Sequence, residues 1–203
     1  MDVRDATLGD LPAIVGIYNA TIASRMATAD TEPVSVESRR AWFEQHSPAK
    51  RPLWVALDAG EVIGWLSYSS FYGRPAYDRT CELSIYVAPE RRGNGLGGDL
   101  LGRSIVHAPT IGISTLLGFI FAHNEASLRL VEKHGFERWG YLPRVAVLDG
   151  VERDVIIMGR RVGSRDYSDL GTASNSRIAA GRGLYEGPPA ALARRVCDAR
   201  GRH

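Results

Sequence analysis

The chain has 203 residues, 44% of them hydrophobic and 24% charged, with a formal charge of +2, which fits one soluble-type domain, or one domain with a tail. No apolar run approaches the ~18 residues of a membrane helix, the N-terminus lacks a signal-peptide pattern, and Cys81 and Cys197 form no C-x-x-C, so a reducing cytoplasm is the expected compartment. Seven arginines and four acids lie after residue 162, leaving −1 on residues 1–162, so the expected folded part has no basic footprint for nucleic acid.

Val3–Thr7 reads as an edge strand. Asp10 and Pro12 open a helix whose apolar face is Leu11, Ile14, Val15, Ile17, Tyr18 and Ile22. The polar stretch Thr28–Val36 is a loop. Ser35 caps a second helix, Val36–His46, with Trp42 and Phe43 as its buried pair. Leu53–Leu57 and Val62–Ser70 form a hairpin around Asp58-Ala59-Gly60-Glu61. Phe71–Arg79 is a loop rich in Tyr, Arg and Pro. Cys81–Val87 is a strand, and the helix from Gly97 to about His107 follows the glycines of residues 93–98. Thr115–Ala122 is apolar enough to be a central strand. Ser127–His134 is a helix stopped by Gly135. Phe136–Leu142, Ala146–Leu148 and Val155–Gly159 are strands, with Asp149-Gly150 a hairpin turn. The fold class is therefore α/β (α+β), a mixed, mostly antiparallel central sheet flanked by helices in the order β-α-α-β-β-β-α-β-α-β-β. No repeat of roughly 20–50 residues is present.

The stretch Cys81–Arg103 organises the rest. Gly93, Gly95 and Gly98 satisfy G-x-G-x-x-G, but context rejects a dinucleotide site. Five residues, Ala88–Arg92, separate the strand from the first glycine, and no acid lies near residues 115–120 to hold a ribose. Arg92-Gly93-Asn94-Gly95-Leu96-Gly97 fits (Q/R)-x-x-G-x-(G/A) instead. With I-Y-N-A-T-I-A (17–23), A-W-F-E-Q-H (41–46), R-P-A-Y-D-R-T-C-E-L-S-I-Y-V (74–87) and N-E-A-S-L-R-L-V-E-K-H-G-F (124–136), the sequence resembles the GNAT superfamily of N-acetyltransferases. Within it, the match is to the phosphinothricin and methionine sulfoximine (sulfone) N-acetyltransferase branch, over roughly residues 2–160.

The resemblance implies an acetyl-CoA-dependent N-acetyltransferase acting on the α-amine of a small amino acid or analogue by direct transfer in a ternary complex. Acetyl-CoA is the co-substrate, with no metal, and a homodimer is expected. Arg92, Gly93, Asn94, Gly95, Leu96, Gly97 and Gly98 would cradle the pyrophosphate, where bare N–H groups and a helix dipole favour negative charge. Splayed strands would free the backbone of Ile85, Tyr86 and Val87 for the pantetheine and for an oxyanion, and Asn124 would hydrogen-bond the cofactor. Glu82, in the branch's T-x-E, would be the general base, its pKa raised by an apolar strand. Arg74, Ala76 and Tyr77 match residues lining the amino-acid site, where a guanidinium grips a carboxylate.

Two features depart from the branch. Val131 stands where a protonating Tyr or His is usual, and residues 149–154 lack a histidine. His46, His107, His123 and His134 make no metal spacing and read as surface or capping residues, and the four tryptophans read as core or interface. An acyltransferase for another amine (a protein N-terminus or polyamine) and a non-catalytic acyl-CoA-binding module are the alternatives. The domain is expected to end at residue 162. The Gly/Ala/Arg-rich tail 163–203 reads as disordered, with a short helix possible at Ala190–Ala199.

Overall fold

A computed structural model describes residues 2–163; the tail, its candidate helix and Cys197 lie outside the described residues. Seven strands, β1 (Asp2–Asp5), β2 (Leu53–Asp58), β3 (Glu61–Ser70), β4 (Thr80–Val87), β5 (Thr115–Phe121), β6 (Glu137–Leu148) and β7 (Val151–Arg161), form one sheet in the order β1-β2-β3-β4-β5-β7-β6. Every neighbouring pair is antiparallel except β4–β5. The helices are α1 (Leu11–Ile22), α2 (Val36–Glu44), α3 (Leu96–His107) and α4 (Glu125–Lys133). The expected element order holds throughout.

The sheet has a core on each face. On one, Leu96, Leu100 and Leu101 of α3 and Leu128 of α4 pack on Leu66, Tyr68, Cys81, Leu116 and Met158. On the other, Ile14 and Ile17 of α1 pack with Leu53, Val55 and Trp65, and the half-buried Trp42 and Phe43 of α2 lie against them. Two buried polar tips are satisfied by backbone: Trp65 Nε1 donates to Ile14 O at 3.1 Å, and the Tyr68 hydroxyl donates to Ser104 O at 2.9 Å.

Local chemistry sets most boundaries. Ser35 caps α2 as expected, its hydroxyl accepting from Ser38 N. Both tight hairpins put two successive residues in left-handed conformation, Ala59-Gly60 and Asp149-Gly150, the geometry that matches strand twist. Gly135, at φ +73°, closes α4, with Phe136 N donating to Val131 O.

Three details differ from the sequence reading. Asp10 does not cap α1 with its side chain; it reaches back to Thr7 N at 2.7 Å and pairs with Arg4. The helix expected from Ser127 starts at Glu125, because Asn124 is its N-cap and accepts from Ser127 N at 3.1 Å. β6 is one strand rather than two, its register shifting around Pro143 and the left-handed Arg144.

Candidate active site

β4 builds the site through its period-two alternation. Cys81, Leu83, Ile85 and Val87 face α3 and the larger core, whereas Glu82, Ser84 and Tyr86 face α1 and α2. The parallel ladder to β5 lasts three residue pairs, ending at Glu82↔Leu117. Past that point no ladder pair joins residues 83–87 to residues 118–121 among the described residues, while β4 stays paired to β3 and β5 to β7. The sheet is split there. Strand edges inside a sheet are costly unless another group takes up their N–H and C=O.

A cleft of about 600 Å³ follows the split, lined by Glu82–Val87, Leu117–Phe121, Arg92, Gly97 and the start of α4. The segment after α1 crosses it. Met26 O accepts from Asn124 Nδ2 at 2.8 Å, Ala27 O from the Tyr86 hydroxyl at 3.2 Å, and Arg25 pairs in two hydrogen bonds with Asp149. A second, smaller cavity of about 220 Å³ lies between α1, α2 and the other face of β3–β4, with Tyr18, Arg39, Trp42, Trp65, Ser67 and Ser84 in its wall. Glu82 lines both cavities. Burial, with no charged partner, raises its pKa above the ordinary glutamate value. Burial likewise pushes the neighbouring Cys81 thiol up to about 12, so it is no nucleophile at neutral pH.

At the end of β4, a short turn at Pro89–Arg91 leads into glycines. Gly93 and Gly95 take φ of +81° and +82°, and Gly95 is the N-cap of α3. The turn Arg92–Gly95 is exposed and leads into the N-terminus of a 12-residue helix, whose first N–H groups have no partner within the helix.

The acetyltransferase (GNAT) family profile matches residues 17–136. The chain is 52% identical over 163 residues to YwnH of Bacillus subtilis, named as a candidate phosphinothricin acetyltransferase, covering 80% of this chain and 99% of YwnH. The chain belongs to the GNAT acetyltransferase family. It is also 36% identical to an L-methionine sulfoximine/L-methionine sulfone acetyltransferase of Pseudomonas aeruginosa, over 77% of this chain and 91% of that protein. The crystal structure of a phosphinothricin acetyltransferase from Sinorhizobium meliloti in complex with acetyl-CoA superposes with a TM-score of 0.76 at 31% identity, covering 91% of this chain and 95% of that one.

The GNAT fold brings some of the expected residues together and leaves others apart. Glu82, Ile85, Tyr86, Val87, Arg92, Gly97 and Asn124 line the large cleft. Gly93, Asn94 and Gly95 lie in the exposed turn beside it, and Gly98 packs against His134 and Leu130. Leu96 is 6% exposed and belongs to the core. Asn124 is buried with both ends of its amide engaged, as the α4 cap and as donor to Met26, so it holds the crossing segment. Arg74, Ala76 and Tyr77 are exposed on the β3–β4 loop and line neither cavity, with Tyr77 packed on Phe71 and Tyr72. Val131 sits in the wall of the large cleft. Among the described residues, no three His, Cys, Asp or Glu side chains cluster to hold a metal, and no helix is long and apolar enough to cross a membrane.

Sequence reading missed the small cavity. Arg39, Trp42 and Phe43 stand at i, i+3 and i+4, one face of α2, so a cation in register with two aromatics was the available signal. The aromatics were assigned to the core and the arginine to no role.

Proposed function

We propose that this acetyltransferase moves the acetyl group of acetyl-CoA to the α-amine of a small amino acid of the methionine sulfone, methionine sulfoximine or phosphinothricin type, as the names of its relatives suggest. One observation carries the proposal: a carboxylate of raised pKa stands where the large cleft meets the small cavity. Acetyl-CoA takes the cleft, with its pyrophosphate on the Arg92–Gly98 turn and its pantetheine along Ile85–Val87. The amine takes the cavity. Glu82 removes a proton from the ammonium, the free amine adds to the thioester carbonyl, and β4 N–H groups stabilise the oxyanion. The adduct's nitrogen loses its second proton to solvent as the C–S bond breaks, leaving the N-acetyl product and coenzyme A thiolate, which solvent protonates because Val131 offers no proton.

The activity resides in residues 1–162. Two copies associate through the edge strand β6, where Tyr141, Val145 and Val147 are 58%, 57% and 59% exposed, an apolar edge that water alone covers poorly. Light scattering on the purified chain and on Val145→Glu reports this directly, with a dimer expected for the first and a monomer for the second. For the reaction, thiol release is followed with acetyl-CoA and each of the three amino acids. A correctly folded protein that releases no thiol with any of them refutes the substrate class.

A further inference from the structure

The small cavity has a sparse charge layout. Of its twelve lining residues, only Arg39 on α2 and Glu82 on β4 are formally charged at neutral pH. Tyr18 and Tyr86 stay neutral, since burial raises both phenols above their ordinary value. The other walls are aliphatic, aromatic or seryl. A space of about 220 Å³ with one cation, one carboxylate and aromatic sides suits a small zwitterion.

Arg39 is held in place but not used up. One Nη donates to Asp30 at 2.7 Å, and the guanidinium carbon lies 4.8 Å from the centre of the Tyr18 ring. Asp30 is itself fixed by the Tyr18 hydroxyl at 2.6 Å. Nε and the second Nη of Arg39 have no acceptor among the described residues, so part of a five-donor fork remains for a ligand. Nor is Arg39 the ion-pair partner of Glu82, whose ionisation is shifted by burial alone. The two charges face one cavity without neutralising each other.

We infer that Arg39 is the carboxylate anchor of the amine substrate. It holds the α-carboxylate while the α-ammonium faces Glu82 and the side chain lies among Trp42, Trp65 and Tyr86. This rests on the amino-acid acceptor proposed above and names the residue that selects it. Arg74, the guanidinium that the resemblance offers for this role, lines neither cavity.

The test compares L-methionine sulfone with its decarboxylated analogue, 3-(methylsulfonyl)propylamine, at saturating acetyl-CoA. Wild-type protein should prefer the amino acid. Arg39→Gln should lose about 10- to 150-fold in kcat/KM on the amino acid, mostly through KM, the range that hydrogen bonds to charged groups provide. Its kcat/KM on the decarboxylated amine should stay within about threefold, so the preference collapses. Arg39→Lys, which keeps the charge and loses the fork, should fall between them and stands in if the Gln variant does not fold. Asp30→Asn removes the ion pair and keeps the guanidinium, and it should retain the carboxylate preference. A merely structural Arg39 would make Asp30→Asn and Arg39→Gln alike and would lower both substrates equally; that result overturns the inference. So does loss of the preference in Arg74→Gln with none in Arg39→Gln. Wild-type protein that acetylates amines lacking a carboxylate, but no free amino acid, overturns the acceptor reading and this anchor with it.

Discussion

Glu82→Gln should lower activity and raise stability in the same protein. The carboxylate lies on a strand between two cavities, with no cation or hydrogen-bond donor on it among the described residues, and burial alone raises its pKa. As a general base it should contribute about 100- to 10,000-fold to the rate. Wild-type kcat/KM should therefore rise with pH through an ionisation above the ordinary glutamate range, and Glu82→Gln should lose both the rate and that limb. Stability runs the other way. Below the pKa of the unfolded chain the carboxyl is protonated in both states and costs nothing. As pH climbs through the raised native pKa, the folded protein must ionise a desolvated group, so stability present at low pH is lost. A tenfold change in acidity corresponds to about 1.4 kcal/mol, and each kcal/mol moves Tm by about 2–4 °C in a domain of this size. Melting curves at pH 4 and pH 8 should show the two proteins alike at the lower pH and the Gln variant higher at the upper. A Gln variant within tenfold of wild-type kcat/KM across pH would remove Glu82 from the chemistry. One that melts no higher at pH 8 would refute its desolvation.

The remaining predictions concern the loop, the core and the first turn. Gly95→Ala places a Cβ at φ +82° on the α3 N-cap, where nothing lies within 4 Å to clash. The cost is conformational, about 1–2 kcal/mol, and it should appear as weaker acetyl-CoA binding by calorimetry with the amine KM unchanged. Leu100→Ala empties a fully buried site between α3 and the sheet and should cost about 2–5 kcal/mol in urea unfolding. Asp10 is held well below the usual carboxylate range, first by its hydrogen bonds from Arg4. Its contribution is present above the unfolded pKa and lost as pH falls through the native one. Asp10→Asn should therefore be about 1 kcal/mol less stable at pH 7, with the gap closing below pH 4.

The fold was legible because its signals are local. Asp149-Gly150, Gly135, Ser35 and the period-two run of β4 each specify one geometry, and the structure adopts each of them. The large cleft was legible in part for the same reason, since a strand, a turn and glycines lie within Cys81–Gly98. The small cavity was not. Its walls come from α1, α2, β3 and β4, spread from Ile14 to Tyr86, and no sequence spacing records that Arg39 and Glu82 face one space. Asn124 carries a second role that its family position does not record: its amide also caps α4 and holds the carbonyl of Met26.

The small cavity and Asn124 meet in the segment after α1. Asn124 and Asp149 hold it from one side of the split through Met26 and Arg25, and Tyr86 and Tyr18 hold it from the other through Ala27 and Thr28. Two residues further on, Asp30 fixes Arg39. The same few residues therefore cross the large cleft and position the cation of the small cavity, with Glu82 lining both. Sequence reading treated Thr28–Val36 as a polar loop because a loop's role lies in what it spans: Thr28 and Asp30 are tied to Tyr18 and Arg39 nearby in the chain, whereas Arg25, Met26 and Ala27 just before them reach Asp149, Asn124 and Tyr86.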